Sequence, residues 1–359
     1  MSEQATFPGP PPARTGHANL VKESLRSYGM LLSLFAIMLF FQVMTDGTLL
    51  RPLNLTNLVL QNSYIVIMAL GMLMVIVTGH IDLSVGSVAG FIGALSAVLI
   101  VQFGIPFVAA ALLCLAVGGI IGGMQGWFVA YLKIPSFIVT LAGMLVFKGL
   151  MLSVLGGRSV GPFPVEFQRL SSGFIPEFFG QQGGVYMTSL LLGVVMALAM
   201  VWFAWRGRLR QQGHGVEVEP MPFFAVKTLV IAGMTIYLTF LIASHRGLPN
   251  VLLIMLVLIA LYAFVTNRTV VGRQIYAVGG NEKAAKLSGV KTERLTFLTF
   301  VNMGMLAALA GLIFTARLNT ATPKAGLGFE LDVIAACFIG GASAYGGVGK
   351  VVGAVIGAL

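Results

Sequence analysis

Charge is what this chain has least of: Asp, Glu, Lys and Arg make up 9% of its 359 residues, and 12 of them are acidic. Four histidines and two cysteines complete a short inventory of reactive or metal-binding side chains. Each shortage removes a class of function. Cys114 and Cys337 sit inside apolar stretches without paired spacing, which argues against a disulfide framework or a zinc site and leaves them as small packing residues. His17, His214 and His245 fall in the tail and in loops. His80 has Asp82 beside it but no third ligand, so neither metal coordination nor a proton relay is expected. No Ser/His/Asp arrangement, metal cluster or acid pair is discernible, so the chain is not expected to be an enzyme. Residues 344–351 (AYGGVGKV) imitate a phosphate-binding loop, but Ala344 replaces its first glycine and Val351 its magnesium-binding hydroxyl. No cofactor is expected in this chain.

What is abundant is hydrocarbon. With 57% hydrophobic residues and a mean hydropathy of +0.94, the chain belongs in a bilayer as an all-α polytopic membrane protein. Apolar runs predict ten spans, over 28–44, 57–78, 83–101, 105–131, 135–155, 185–205, 224–243, 248–266, 295–316 and 331–344. An eleventh run starts near Lys350 and covers half of the ~20 residues a crossing needs, as a half-helix or the start of a truncated span. Residues 1–27, with a proline-rich stretch at 7–12, read as an unfolded tail without a secretory cleavage site, ahead of a membrane domain over 28–359. The formal charge of +10 is scattered among short loops, which argues against a nucleic-acid partner. With a cytoplasmic N-terminus, fifteen Lys and Arg lie inside and six outside, with Lys148 in a span; this bias favours that topology.

One polar island interrupts the hydrocarbon, at 272–294, within a loop over 267–294. Together with Arg268 it holds six of the 22 basic residues, and it predicts a helix over 282–287 closed by Gly289. Such a segment in the cytoplasm reads as a docking handle. Glycines repeat at every fourth position in Gly118, Gly122 and Gly126 and in Gly349, Gly353 and Gly357, a spacing that serves close packing within the chain or between two copies. Residues 78–86 (TGHIDLSVG) and 339–347 (IGGASAYGG) each precede a Gly/Ala-rich run. This faint duplication is either a pair of broken spans lining a substrate path, with Gly79, Asp82, Ser84, Gly340, Gly341, Tyr345, Gly346 and Gly347 along it, or a pair of interfacial turns. Asp82 caps a helix or lines the path, Lys148 snorkels outward, and Asp332 is a first-turn acid.

These blocks resemble the permease subunits of bacterial ABC importers for monosaccharides, the branch that includes ribose, galactose, xylose and multiple-sugar systems. Residues 78–87 (TGHIDLSVGS) are similar to the family's TGGIDLSVGS signature, with His80 where glycine is usual. Residues 278–290 (VGGNEKAAKLSGV) resemble its cytoplasmic coupling loop, 338–359 its glycine-rich C-terminal block, and 133–141 (KIPSFIVTL) a further motif. The likeness runs from Ala36 to Leu359. An additional pair of spans around 206–220 looks like the xylose or multiple-sugar subgroup.

The resemblance implies a bundle of two pseudo-repeated halves in the inner membrane and pairing of two permeases. It also implies an ATP-binding cassette subunit, which carries ATP and magnesium, and a periplasmic sugar-binding protein. Asn281, Glu282, Ala284, Ala285 and Gly289 would then contact the ATP-binding subunit. An ion-coupled secondary carrier is the alternative, with a membrane enzyme and a passive channel behind it.

Overall fold

A computed structural model describes residues 33–213, 215 and 218–359. The expected tail over 1–27, the start of the first span and His214 lie outside the described residues. Within them, eight helices are long and apolar enough to cross a membrane. They are α2 (Pro52–Val77), α3 (Val85–Ala97, continued by a π-helical turn over Val98–Gln102), α4 (Phe107–Ala130), α5 (Ser136–Leu155), α7 (Met187–Gly213), α8 (Met221–Ala243), α9 (Asn250–Arg268) and α12 (Thr292–Leu318). The described part of the first expected span forms α1 (Ser33–Met44). Short elements fill the rest: α6 (Val165–Gln168), the β1–β2 hairpin (Gln181–Gln182 with Val185–Tyr186), α10 (Val270–Gly280), α11 (Glu282–Leu287), α13 (Phe329–Ile339) and α14 (Val351–Ala358).

The span expected over 331–344 is the one that differs. Its apolar run is long enough on paper, but Gly340 and Gly341 end α13 after 11 residues, about 16 Å of helix. The chain then runs without helix through residues 340–350 before α14 begins. Against the expected ten or eleven crossings, the described residues hold eight full-length helices plus shorter pieces.

Three helices form the centre. Of their most apolar stretches, 67% of α2, 67% of α3 and 61% of α12 is buried, against 11–28% for the other five. α4 lies flat on α12 because glycines let the backbones touch: a Cβ on Gly122 would stand 2.1 Å from the Phe300 carbonyl oxygen, and one on Gly304 2.1 Å from that of Gly118. The repeated glycines of α4 thus pack within the chain, as do Gly353 and Gly357, which seat α14 against Gly340 and Ala336 of α13. Both cysteines are buried packing residues, and the Cys337 thiol points at the Ala69 carbonyl, 3.5 Å away.

α7 and α8 form a hairpin at the side of the bundle. At the end opposite α10 and α11, the connection from α5 to α7 folds over the bundle. Its Phe163 and Phe167 rings stack at 4.6 Å, Val160 pairs with Ala321, and Phe174 pairs with Pro249.

Candidate functional site

Two interruptions of the helical backbone meet at one end of the bundle. The first is residues 78–84 between α2 and α3; the second is residues 340–350 between α13 and α14. They come together because Gly346 and Gly347 adopt positive φ, +82° and +72°, which turns the Gly347 N–H onto the Val77 carbonyl at 2.8 Å.

The C-terminus of α10 closes the same contact. A Cβ on Gly279 would lie 1.6 Å from the Val77 oxygen and 2.6 Å from the Gly347 nitrogen, and one on Gly347 2.9 Å from the Gly280 Cα. Val77–Thr78–Gly79, Gly279–Gly280 and Gly346–Gly347 therefore touch backbone to backbone with no side chain between them. One further bond reinforces this junction: the Tyr276 hydroxyl donates to the Gly349 carbonyl at 2.7 Å. With main chain against main chain there is no flexible side chain to absorb a shift of α10, so such a shift must displace both interruptions.

Asp82 and Ser84 lie deeper. The Ser84 N–H and hydroxyl donate to Asp82 Oδ1 at 2.8 and 2.7 Å, and Gln125 Nε2 of α4 donates to Ser84 Oγ at 2.9 Å. All three residues are buried. This ties the first interruption to the start of α3 and to α4: Asp82 holds the N-cap residue Ser84 in a local turn and accepts no bond from an N–H of the helix itself. The same segment is pinned to α5 by Ser136 Oγ, which accepts from the Ile81 N–H at 3.2 Å.

α11 spans Glu282–Leu287, the extent expected from the sequence. The Asn281 side chain caps it by accepting from the Ala284 N–H at 3.0 Å, and Gly289, at φ +85°, ends it. Of the residues expected to face a partner, Asn281, Glu282, Ala284 and Gly289 are exposed. Ala285 is a correction: it is buried in the core cluster and holds α11 to the bundle. Its place on the outer face is taken by Leu287, which is 90% exposed.

Glu282 also bonds to Lys133 in the α4–α5 turn at 3.2 Å, and Lys286 hydrogen-bonds Glu293, whose carboxylate raises the lysine above its ordinary value. His80 lines the same small cavity as Lys133 and Glu282, and burial keeps it below the usual histidine range.

Gly79, Gly346 and Gly347 are thus brought into one junction, and Asp82 and Ser84 into a neighbouring polar node. Gly340 instead packs on Gly353, Gly341 turns the chain at φ +87°, and Tyr345 projects from the second interruption at 94% exposure. Gly279, Gly280, Tyr276, Gln125 and Leu287 were not singled out by sequence reasoning. The Gly279–Gly280 doublet and the lone amide in a glycine-rich span were the available signals.

Comparison with known proteins places this architecture. Residues 54–359 match the family described as branched-chain amino acid transport system / permease component. The chain is 38% identical to the xylose transport system permease protein of Escherichia coli, over 97% of this chain and 86% of that protein. It is 40% identical to the corresponding protein of Haemophilus influenzae, over 94% and 87%. Identity with the ribose import permease protein of Escherichia coli is 33%, over 85% and 74%. No solved structure matches the chain. A multi-pass helical bundle with this coverage by two kinds of sugar permease belongs to the bacterial ABC importer permeases, in their monosaccharide branch.

Proposed function

We propose that this chain is the membrane subunit through which an ATP-driven importer passes an aldopentose into the cell by alternating access. Nucleotide is hydrolysed in a separate ATP-binding subunit, which holds the ATP and magnesium. The observation that carries this reading is the junction, where the segment leading into α11 touches both helix interruptions. A push on α11 from outside the bundle is delivered to the two places where the helices are least continuous.

α11 faces the ATP-binding subunit with Leu287, Ala284 and Glu282. That end and the N-terminus face the cytoplasm, a reading supported by the charge bias of fifteen Lys and Arg against six. A periplasmic sugar-binding protein meets the opposite end, where the connection between α5 and α7 is folded. Two copies pair around the pathway, with Asp82, Ser84 and the second interruption near it. Xylose and ribose, the sugars in the relatives' names, are both aldopentoses, and the relatives named for xylose have the higher identity.

The test is uptake of labelled xylose into proteoliposomes holding this chain, its ATP-binding subunit and the binding protein. The proposal expects uptake that requires ATP and survives a protonophore. Uptake that persists without nucleotide and collapses with the protonophore would contradict it and favour an ion-coupled carrier.

A further inference from the structure

We infer that the cavity enclosed by α9, α10 and α12 is a binding site for a small single-chain alcohol that enters from the bilayer. Its volume is about 230 Å³. Sites for drug-sized ligands run from roughly 300 to 1,000 Å³, so the occupant is smaller than those.

Two kinds of surface meet in it. Val265 of α9, Val271 and Ile275 of α10 and Leu295 of α12 make an apolar wall, while Tyr262, Thr299 and Asn302 make a polar corner. The Tyr262 hydroxyl donates to Asn302 Oδ1, and the Thr299 hydroxyl donates to the Thr296 carbonyl at 2.7 Å. Both hydroxyl hydrogens are committed in this way, but their oxygens keep lone pairs. The Asn302 amide is engaged at its oxygen alone: among the described residues nothing accepts from its Nδ2. The corner therefore offers donors from an amide and acceptors from two hydroxyls. That is the complement of a single alcohol group, which both donates and accepts.

Depth decides among ligands that carry such a group. Asn302 lies ten residues into α12 from Thr292, about 15 Å, and Tyr262 six residues before the end of α9 at Arg268, about 9 Å. On helices that span a hydrocarbon core of about 30 Å, this places the corner below the headgroups. A charged headgroup would be drawn there only at a large desolvation cost. Water could satisfy the corner, yet each water needs two to four polar partners and the apolar wall supplies none. A neutral alkyl alcohol covers both surfaces. Leu261, Val271 and Leu298, which also line the cavity, are 45–50% exposed, so it opens sideways to the bilayer.

The experiment is photolabelling of the full chain in phosphatidylcholine proteoliposomes with a diazirine-bearing octanol, read by peptide mass spectrometry. Its result does not depend on whether sugar is transported. Labels concentrated at residues 261–275 and 295–302 are expected, displaced by excess 1-octanol and much less by octane, which has the same chain without the hydroxyl. Asn302→Leu is expected to weaken this labelling about fivefold, ~1 kcal/mol. Val265→Trp, which fills the apolar wall and leaves the polar corner in place, is expected to abolish it, while labelling around Ile120, 70% exposed on α4, is unchanged. Labels spread evenly over the exposed helix faces, or equal displacement by octane and octanol, would overturn the inference. Cavity labelling that survives Val265→Trp in a protein melting like the parent would overturn it as well.

Discussion

Replacing Leu287 by aspartate is expected to separate this chain from the ATP-binding subunit proposed to dock on α11. The side chain stands 90% exposed at the end of a six-residue helix, a position that water disfavours and a protein pocket would stabilise. A buried aliphatic anchor at the centre of an interface contributes about 2 kcal/mol, roughly thirtyfold in affinity, and a carboxylate in its place adds the cost of burying a charge. The fold is expected to tolerate the change, because α11 is held by Ala285, the Asn281 cap and the Gly289 turn. Co-purification of the two subunits in detergent measures the effect. Loss of the complex with unaltered melting of the permease is the expected result, and an intact complex would remove Leu287 from the interface.

The second large effect is at Gly279. Its Cβ position is 1.6 Å from a carbonyl oxygen, so Gly279→Leu cannot be accommodated by rotating a side chain and must push α10 away from Val77 and Gly347. Overpacking of this kind costs about 3 kcal/mol or more locally. The ATP-binding subunit proposed to dock on α11 is expected to stay bound and to hydrolyse ATP, while sugar uptake drops by at least about tenfold, the equivalent of 1.4 kcal/mol in coupling. Gly280→Ala is the contrast, since nothing lies within 4 Å of its Cβ position, and near-parental uptake is expected. Equal losses in the two variants would argue that the region is sensitive to any side chain and not to the close contact.

Much of this was legible from local signals. The eight long helices follow the apolar runs to within a few residues at most ends, and α2 begins at Pro52, ahead of the expected 57, because proline suits a helix start. α11 was readable from Asn281 before it and Gly289 after it. What stayed hidden was set by tertiary placement. Ala284 and Ala285 are identical in type, and only the docking of α11 on the bundle decides that one is exposed and the other buried. The two interrupted segments could be paired by their glycines, but that they meet, and that Gly279 wedges between them, depends on positive φ at Gly346 and Gly347 and on the kink between α9 and α10. The shortness of α13 was invisible for a related reason: Gly340 and Gly341 end the helix, yet they look no different from the glycines that continue α4 through Gly118 and Gly122.

The proposed coupling requires α10 and the second interruption to move as one body. Spin labels at Ala277→Cys on α10 and Tyr345→Cys on the second interruption, both exposed, read this directly against a third label at Arg158→Cys on the opposite end. With the native Cys114 and Cys337 buried, the labels report the introduced sites. When ATP is added to the assembled transporter, the distance between 277 and 345 is expected to stay constant while both distances to 158 change together. A change between 277 and 345 with 345 fixed relative to 158 would show that α10 slides past the junction without moving it, and would contradict the account.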